Sequence, residues 1–119
     1  MNPDYAEARA NLGLTCLRAG DLDCAEQAYR HLTLSSPWLS EPYVQLGVIM
    51  LAKGRTQDAI RFLTRSVQLE ADYGPAWKAL GVAYEAEGRT DEARAAYESC
   101  ADSKQPDPAC RDGVERLSP

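Results

Sequence analysis

The chain has 119 residues, 45% of them apolar, with a formal net charge of −5. That length fits one domain, and the acidic balance argues against a nucleic-acid surface, which needs clustered Lys and Arg to neutralise phosphates. No apolar run approaches the ~18–20 residues of a membrane span, and no charged-then-apolar leader reads as a signal peptide.

Helices are expected over about 6–18 and 22–35, where alanine and straight-chain residues predominate and Gly20 punctuates. Ser35-Ser36-Pro37 breaks the chain. Ser40 is placed to cap the next helix, about 40–53, with Pro42 tolerated in its first turn. Further helices follow over about 56–69, 74–87 and 90–103, with Thr56 and Thr90 each behind a Gly-Arg turn and reading as N-caps. After Pro106 and Pro108, residues Cys110, Val114 and Leu117 fall at i, i+4 and i+7. That spacing makes a one-sided helix over about 108–117 with Arg111, Asp112, Glu115 and Arg116 turned outward. It reads as a terminal cap over an exposed apolar end.

One pattern recurs three times. Trp77, Leu80, Gly81 and Tyr84 precede Gly88, Ala93 and Tyr97. Tyr43, Leu46, Gly47 and Met50, then Gly54, Ala59 and Leu63, repeat that order upstream. Arg9, Leu12, Gly13 and Cys16, then Gly20, Ala25, Tyr29 and Pro37, repeat it again at the same interval, with no insertion or deletion. The small residues let two antiparallel helices approach, and the bulky ones fill the space beside them. The pattern resembles the tetratricopeptide repeat, a helical hairpin of about 34 residues. The departures are local: Arg9 for the first bulky residue, Cys16 and Met50 for the helix-A aromatic, Ala71 and Gln105 for the closing proline.

The resemblance implies an all-α, right-handed superhelical solenoid of three hairpins, about 6–39, 40–73 and 74–107, closed by the capping helix. Asn2-Pro3-Asp4-Tyr5 then occupies the phase of an inter-repeat link, since Pro3 precedes Pro37 by one full repeat. The chain is accordingly read as the C-terminal piece of a longer array, and the missing leader says nothing of the parent's destination.

Residues for chemistry are scarce. His31 is the single histidine and falls on a helix-B position, where a solvated surface side chain is expected. Asp21/Asp23 and Asp91/Glu92 stand at helix starts, where acidic residues complement the dipole, so they are not read as metal ligands. No phosphate-binding loop or nucleophile motif occurs. The expectation is a non-enzymatic protein with no cofactor and no metal.

Tetratricopeptide arrays usually bind a peptide or helix on the concave face lined by the first helix of each hairpin. The resemblance places there Glu7, Ala10, Asn11, Leu14, Leu17 and Arg18, then Glu41, Val44, Gln45, Val48 and Leu51, then Lys78, Ala79, Val82, Glu85 and Ala86. Co-chaperone members grip a C-terminal carboxylate with Lys, Asn, Asn, Lys and Arg at five of these positions. Here they hold Ala10, Leu14, Gln45, Pro75 and Ala79, so that clamp is absent. An apolar strip remains, of Leu14, Leu17, Val44, Val48, Leu51 and Val82, rimmed by Glu7, Glu41, Glu85, Arg18 and Lys78. Either several of these pack between adjacent helices as core, or they form a groove for an amphipathic segment.

The cysteines fall as Cys16/Cys24 and Cys100/Cys110, with no C-x2-C signature. Tyr97 to Cys100 followed by Pro108-Ala109-Cys110 is similar to the staple of secreted Sel1-like repeat proteins, which implies a Cys100–Cys110 bridge. Cys16 and Cys24 flank the turn of the first hairpin and can bridge its helices. The alternative is that all four are small buried fillers in a reduced cytosolic adaptor. With bridges the compartment is oxidising. Members that look like this include bacterial outer-membrane lipoproteins of the periplasmic side, among them type IV pilus pilotins. The expected role is a scaffold for a protein or peptide partner in a bacterial envelope assembly such as pilus, secretin or motility machinery. A cytosolic adaptor or a structural spacer are the other readings.

Overall fold

A computed structural model describes the backbone from Pro3 to Pro119 and the side chains from Tyr5 onward. All regular structure among these residues is helical: α1 (Pro3–Arg18), α2 (Leu22–Ser35), α3 (Glu41–Ala52), α4 (Thr56–Leu69), α5 (Gly74–Ala86), α6 (Thr90–Ala101) and α7 (Pro108–Leu117). Successive helices pair as hairpins α1/α2, α3/α4 and α5/α6, and each hairpin rests on the next, α2 on α3, α4 on α5 and α6 on α7. The result is a solenoid of three hairpins and a cap, 49 × 27 × 21 Å in extent.

Two glycine positions per unit make this geometry. Gly20, Gly54 and Gly88 each have φ between 74° and 78°, a left-handed turn that a side chain would strain. The second position is a close approach. A Cβ on Gly47 would lie 2.5 Å from Leu63 Cγ, and one on Gly81 would lie 2.5 Å from Tyr97 Cε1. The side chain on the second helix therefore lies flat against the glycine of the first. Tyr97 is enclosed twice, because a Cβ on Gly113 of α7 would also meet its ring, at 2.7 Å. The core runs along the stack as Leu32, Leu46, Ile49, Met50, Leu63 and Leu80, all buried.

Helix boundaries depart from expectation in three places. First, α1 begins at Pro3, so Pro3 to Tyr5 are helix and not link. Proline suits a helix start, and the alanine-rich sequence behind it continues the helix. Met1 and Asn2 lie outside the described residues. Second, Thr56 and Thr90 are first helical residues and not caps. The N-cap positions belong to Arg55 and Arg89, whose side chains cap nothing. Asp21, the counterpart in the first hairpin, does cap, its Oδ1 accepting from the Cys24 N–H at 3.1 Å. Third, Ser40 stands at the N-cap of α3 without capping it. Its hydroxyl donates instead to Glu70 Oε1 at 2.7 Å, while its carbonyl accepts from Ser66 Oγ at 3.0 Å. Those two bonds tie the start of α3 to the end of α4.

Both expected cysteine pairs are brought together. The Cα atoms of Cys16 and Cys24 are 5.7 Å apart and those of Cys100 and Cys110 are 5.9 Å apart. Both lie in the range a disulfide spans, and no free cysteine is left. Cys100 and Cys110 sit in the small core under α7 with Tyr97 and Ala93.

Candidate functional site

Helices α3 and α5 lie side by side on the concave face and enclose a groove of about 560 Å³. Its floor takes Val44, Gln45, Val48 and Leu51 from α3 and Pro75, Lys78, Ala79 and Val82 from α5. One wall is the link between α6 and α7, Gln105, Pro106 and Asp107. Burial separates these residues by role. Val44 and Ala79 are buried and belong to the core, whereas Val48 and Val82 are 43% and 44% exposed. The expected strip is thus part core and part surface.

The sequence-derived groove residues divide between two hairpins and the third. Val44, Gln45, Val48, Leu51, Lys78 and Val82 come together in this groove. Asn11, Leu14, Leu17 and Arg18 do not line it. Asn11 and Arg18 are exposed, Leu14 is half-buried, and Leu17 packs against the core, as Leu51 does. Leu17 thereby acts as packing for the first hairpin. The wall from 105 to 107 was missed, although Pro106-Asp107-Pro108 marks a rigid link at that point in the sequence.

The charges at the groove are satisfied within the chain. Lys78 Nζ donates to Asp107 Oδ2 at 2.8 Å. Asp107 Oδ1 meanwhile accepts from the Ala109 N–H at 2.9 Å as the N-cap of α7. Lys78 first, and that backbone bond second, hold the Asp107 carboxyl below its ordinary value. Beyond Val82, Glu85 receives Arg116 through two bonds, of 2.6 and 2.8 Å, and the Tyr97 hydroxyl at 2.6 Å. These donors pull the Glu85 carboxyl down to about 2, with Arg116 the larger cause. Burial, and then Glu85, push the Tyr97 hydroxyl up to about 12. What the groove offers a ligand is apolar surface between two neutralised ion pairs. His31 is exposed on α2 and away from this groove. Among the described residues no cluster of three His, Cys, Asp or Glu is placed to hold a metal ion.

A model of the tetratricopeptide repeat matches residues 50–117, more than half of the chain, and a second one matches residues 1–36. The chain belongs to the tetratricopeptide repeat family. Its fold is similar to several solved structures. The first tetratricopeptide domain of Spaghetti (RPAP3), bound to the HSP90 peptide SRMEEVD, has a TM-score of 0.91 at 16% identity, covering 98% of this chain and 95% of that one. The Yersinia enterocolitica type III secretion chaperone SycD, in complex with a peptide of the translocator YopD, gives 0.89 at 15% identity, over 98% and 94%. MamA gives 0.87 at 25% identity, over 98% of this chain and 68% of that one. No curated protein matches the sequence as a relative. The Spaghetti and SycD structures each hold a bound peptide, and no described helix here is long and apolar enough to cross a membrane.

Proposed function

We propose that the chain is a non-enzymatic interaction scaffold that seats an apolar segment of a protein partner in the groove between α3 and α5. The observation that supports this most is the exposure of Val48 and Val82 on the groove floor, beside the buried Val44 and Ala79. Contiguous apolar surface of this kind is the seat of an amphipathic helix or strand, whose anchors bury at roughly 25 cal/mol per Å². Lys78 and Glu85 are occupied by Asp107 and Arg116, so recognition is by shape and not by charge. The partner differs in kind from the acidic peptide that the Spaghetti domain holds.

The two cysteine pairs at bridging distance support an oxidising compartment, such as a bacterial envelope, as the place where this scaffold works. Intact mass before and after reduction and alkylation of protein from its native source tests that. Four thiols open to alkylation without reductant would move the scaffold to the cytosol.

For the groove, helical peptides with apolar anchors are selected from a displayed library and titrated against two variants. Val48→Glu is expected to weaken binding by a factor of ten or more, because the new carboxylate would be desolvated without a partner. Lys78→Ala and raised salt should change affinity little. Unchanged binding by a folded Val48→Glu protein would place the groove on the wrong face.

A further inference from the structure

The wall of the groove is a link, and links recur in this chain at 35–39, 69–73 and 103–107, one repeat apart. Only the third is flanked by cysteines, Cys100 in the last turn of α6 and Cys110 in the first turn of α7. A bridge between them closes a loop that contains all three wall residues, Gln105, Pro106 and Asp107. The wall also rests on the start of α5. A Cβ on Gly74 would lie 2.2 Å from the Gln105 carbonyl oxygen, so the backbone of the link passes directly over that residue. Asp72 Oδ1 accepts from the Lys104 N–H at 3.2 Å, and Lys78 holds Asp107.

These holds differ in strength. The Lys78 and Asp107 side chains are both 41% exposed, and the Asp72 bond is exposed as well, so water competes for each and each contributes little. Cys100 and Cys110 are fully buried, and the covalent closure is the strongest hold. The rest of α7 is fastened separately, since Gly113 lies on the Tyr97 ring and Arg116 on Glu85. Opening the bridge therefore frees the link and the first turn of α7 and leaves the later turns docked.

We propose, on the reading of this groove as the partner's seat, that the Cys100–Cys110 bridge is its oxidative switch. It fixes the wall, and the chain seats its partner only after the bridge has closed. Closure is exchange with a disulfide oxidant. One cysteine thiolate attacks that disulfide and expels one thiol, and the second cysteine displaces the other. The oxidant takes up two electrons and two protons and leaves as two thiols, while the Cys100–Cys110 bond forms. Both residues are sealed once the chain is folded, so the switch is thrown during folding and then holds. The Cys16–Cys24 bridge differs on both counts. Cys24 is half-buried, and no residue of the first hairpin lines the groove.

The probe for the test is an amphipathic helical peptide with apolar anchors, selected by display on the fully bridged protein. It is titrated at a temperature where every variant keeps the parent's circular dichroism. Cys100→Ser/Cys110→Ser is expected to raise Kd about tenfold or more, because an unfixed wall must be ordered at the moment of binding. Parent refolded under reductant should bind as weakly and recover after treatment with oxidised glutathione. Cys16→Ser/Cys24→Ser loses a bridge of similar separation, 8 against 10, yet should stay within about twofold of the parent, since the wall is untouched. Gly74→Ala keeps both bridges, displaces the wall alone, and should also weaken binding. Amide exchange at Lys104 should quicken in the Cys100→Ser/Cys110→Ser protein. Binding by that protein at the parent's affinity would overturn the switch. Equal losses in the two cysteine variants would overturn it too, as a general loss of stability. Val48→Glu separates the switch from the seat. If it abolishes binding while Cys100→Ser/Cys110→Ser binds like the parent, the seat stands and the switch falls. If it leaves binding unchanged, the seat is misplaced and the switch falls with it.

Discussion

Tyr29 and Tyr97 stand two repeat lengths apart, in the same place of the first and third hairpins, and their rings lie against equivalent glycines, Gly13 and Gly81. Their hydroxyls differ. That of Tyr97 donates to Glu85, which Arg116 of α7 also holds. That of Tyr29 is buried with no protein partner. Leu17 occupies in the first hairpin the place that Glu85 has in the third. The repeat therefore dictates where the ring packs, while the polar fittings are added hairpin by hairpin. Here they are added at the end where α7 supplies an arginine.

The largest break in that comparison is expected from Gly81→Leu. Its Cβ alone would meet the Tyr97 ring at 2.5 Å, so the substitution should destabilise by about 3 kcal/mol or more, read from denaturant unfolding. A variant as stable as the parent would refute the close approach of α5 and α6. Next comes the Cys100–Cys110 pair, which closes a loop with a sequence separation of 10. Replacing both cysteines with serine should lower stability by about 2–3 kcal/mol and expose the underside of α7 to amide exchange.

Acid should act on the third hairpin at Glu85. Its carboxyl sits at about 2 in the folded chain against an ordinary value of 4.5. A depressed folded value means the carboxylate stabilises above the unfolded value and loses that contribution as pH falls through the folded one. The window accordingly runs from about 4.5 down to about 2. Glu85→Gln should flatten the decline in melting temperature across it, an effect on the order of 2 kcal/mol since the pair is partly solvated. An identical acid limb in parent and variant would show that the triad contributes nothing to stability.

The smallest effect is the sharpest comparison. Tyr97→Phe removes a hydrogen bond to a charged group and should destabilise by about 1.5 kcal/mol. Tyr29→Phe removes a buried hydroxyl without a partner and should be neutral or stabilising. Equal losses at the two sites would mean that Tyr29 has a partner in solution.

The sequence announced the architecture because its signals are periodic. The glycines at 13, 47 and 81 and at 20, 54 and 88 locate the hairpins and their turns, and the one-sided pattern of Cys110, Val114 and Leu117 locates α7. Spacing reports which face a residue occupies, not what lies opposite. It assigned Val48, Val82 and Leu17 to one strip and left open which of them pack as core, and it gave no sign that Pro106 and Asp107 would form a wall. The Glu85–Arg116–Tyr97 triad joins three helices and has no local signature. The caps failed for a related reason: Thr56 and Ser40 have cap chemistry, yet Thr56 falls inside its helix and Glu70 claims the Ser40 hydroxyl.

The placement of the two cysteine pairs has a mechanical consequence. With both bridges formed, one crosses the first hairpin and the other joins the third to α7, while the middle hairpin, 40–73, carries none. A load applied between the termini would then reach a chain reinforced at both ends and unreinforced in the centre, so extension should begin in the hairpin that supplies Val48 to the groove. The bridged loops, with separations of 8 and 10 residues, would stay closed under tension. At about 3.3–3.6 Å per extended residue they would withhold roughly 60 Å of contour length until reduced. In such a chain tension would take apart the groove between α3 and α5 while both bridged loops stayed closed.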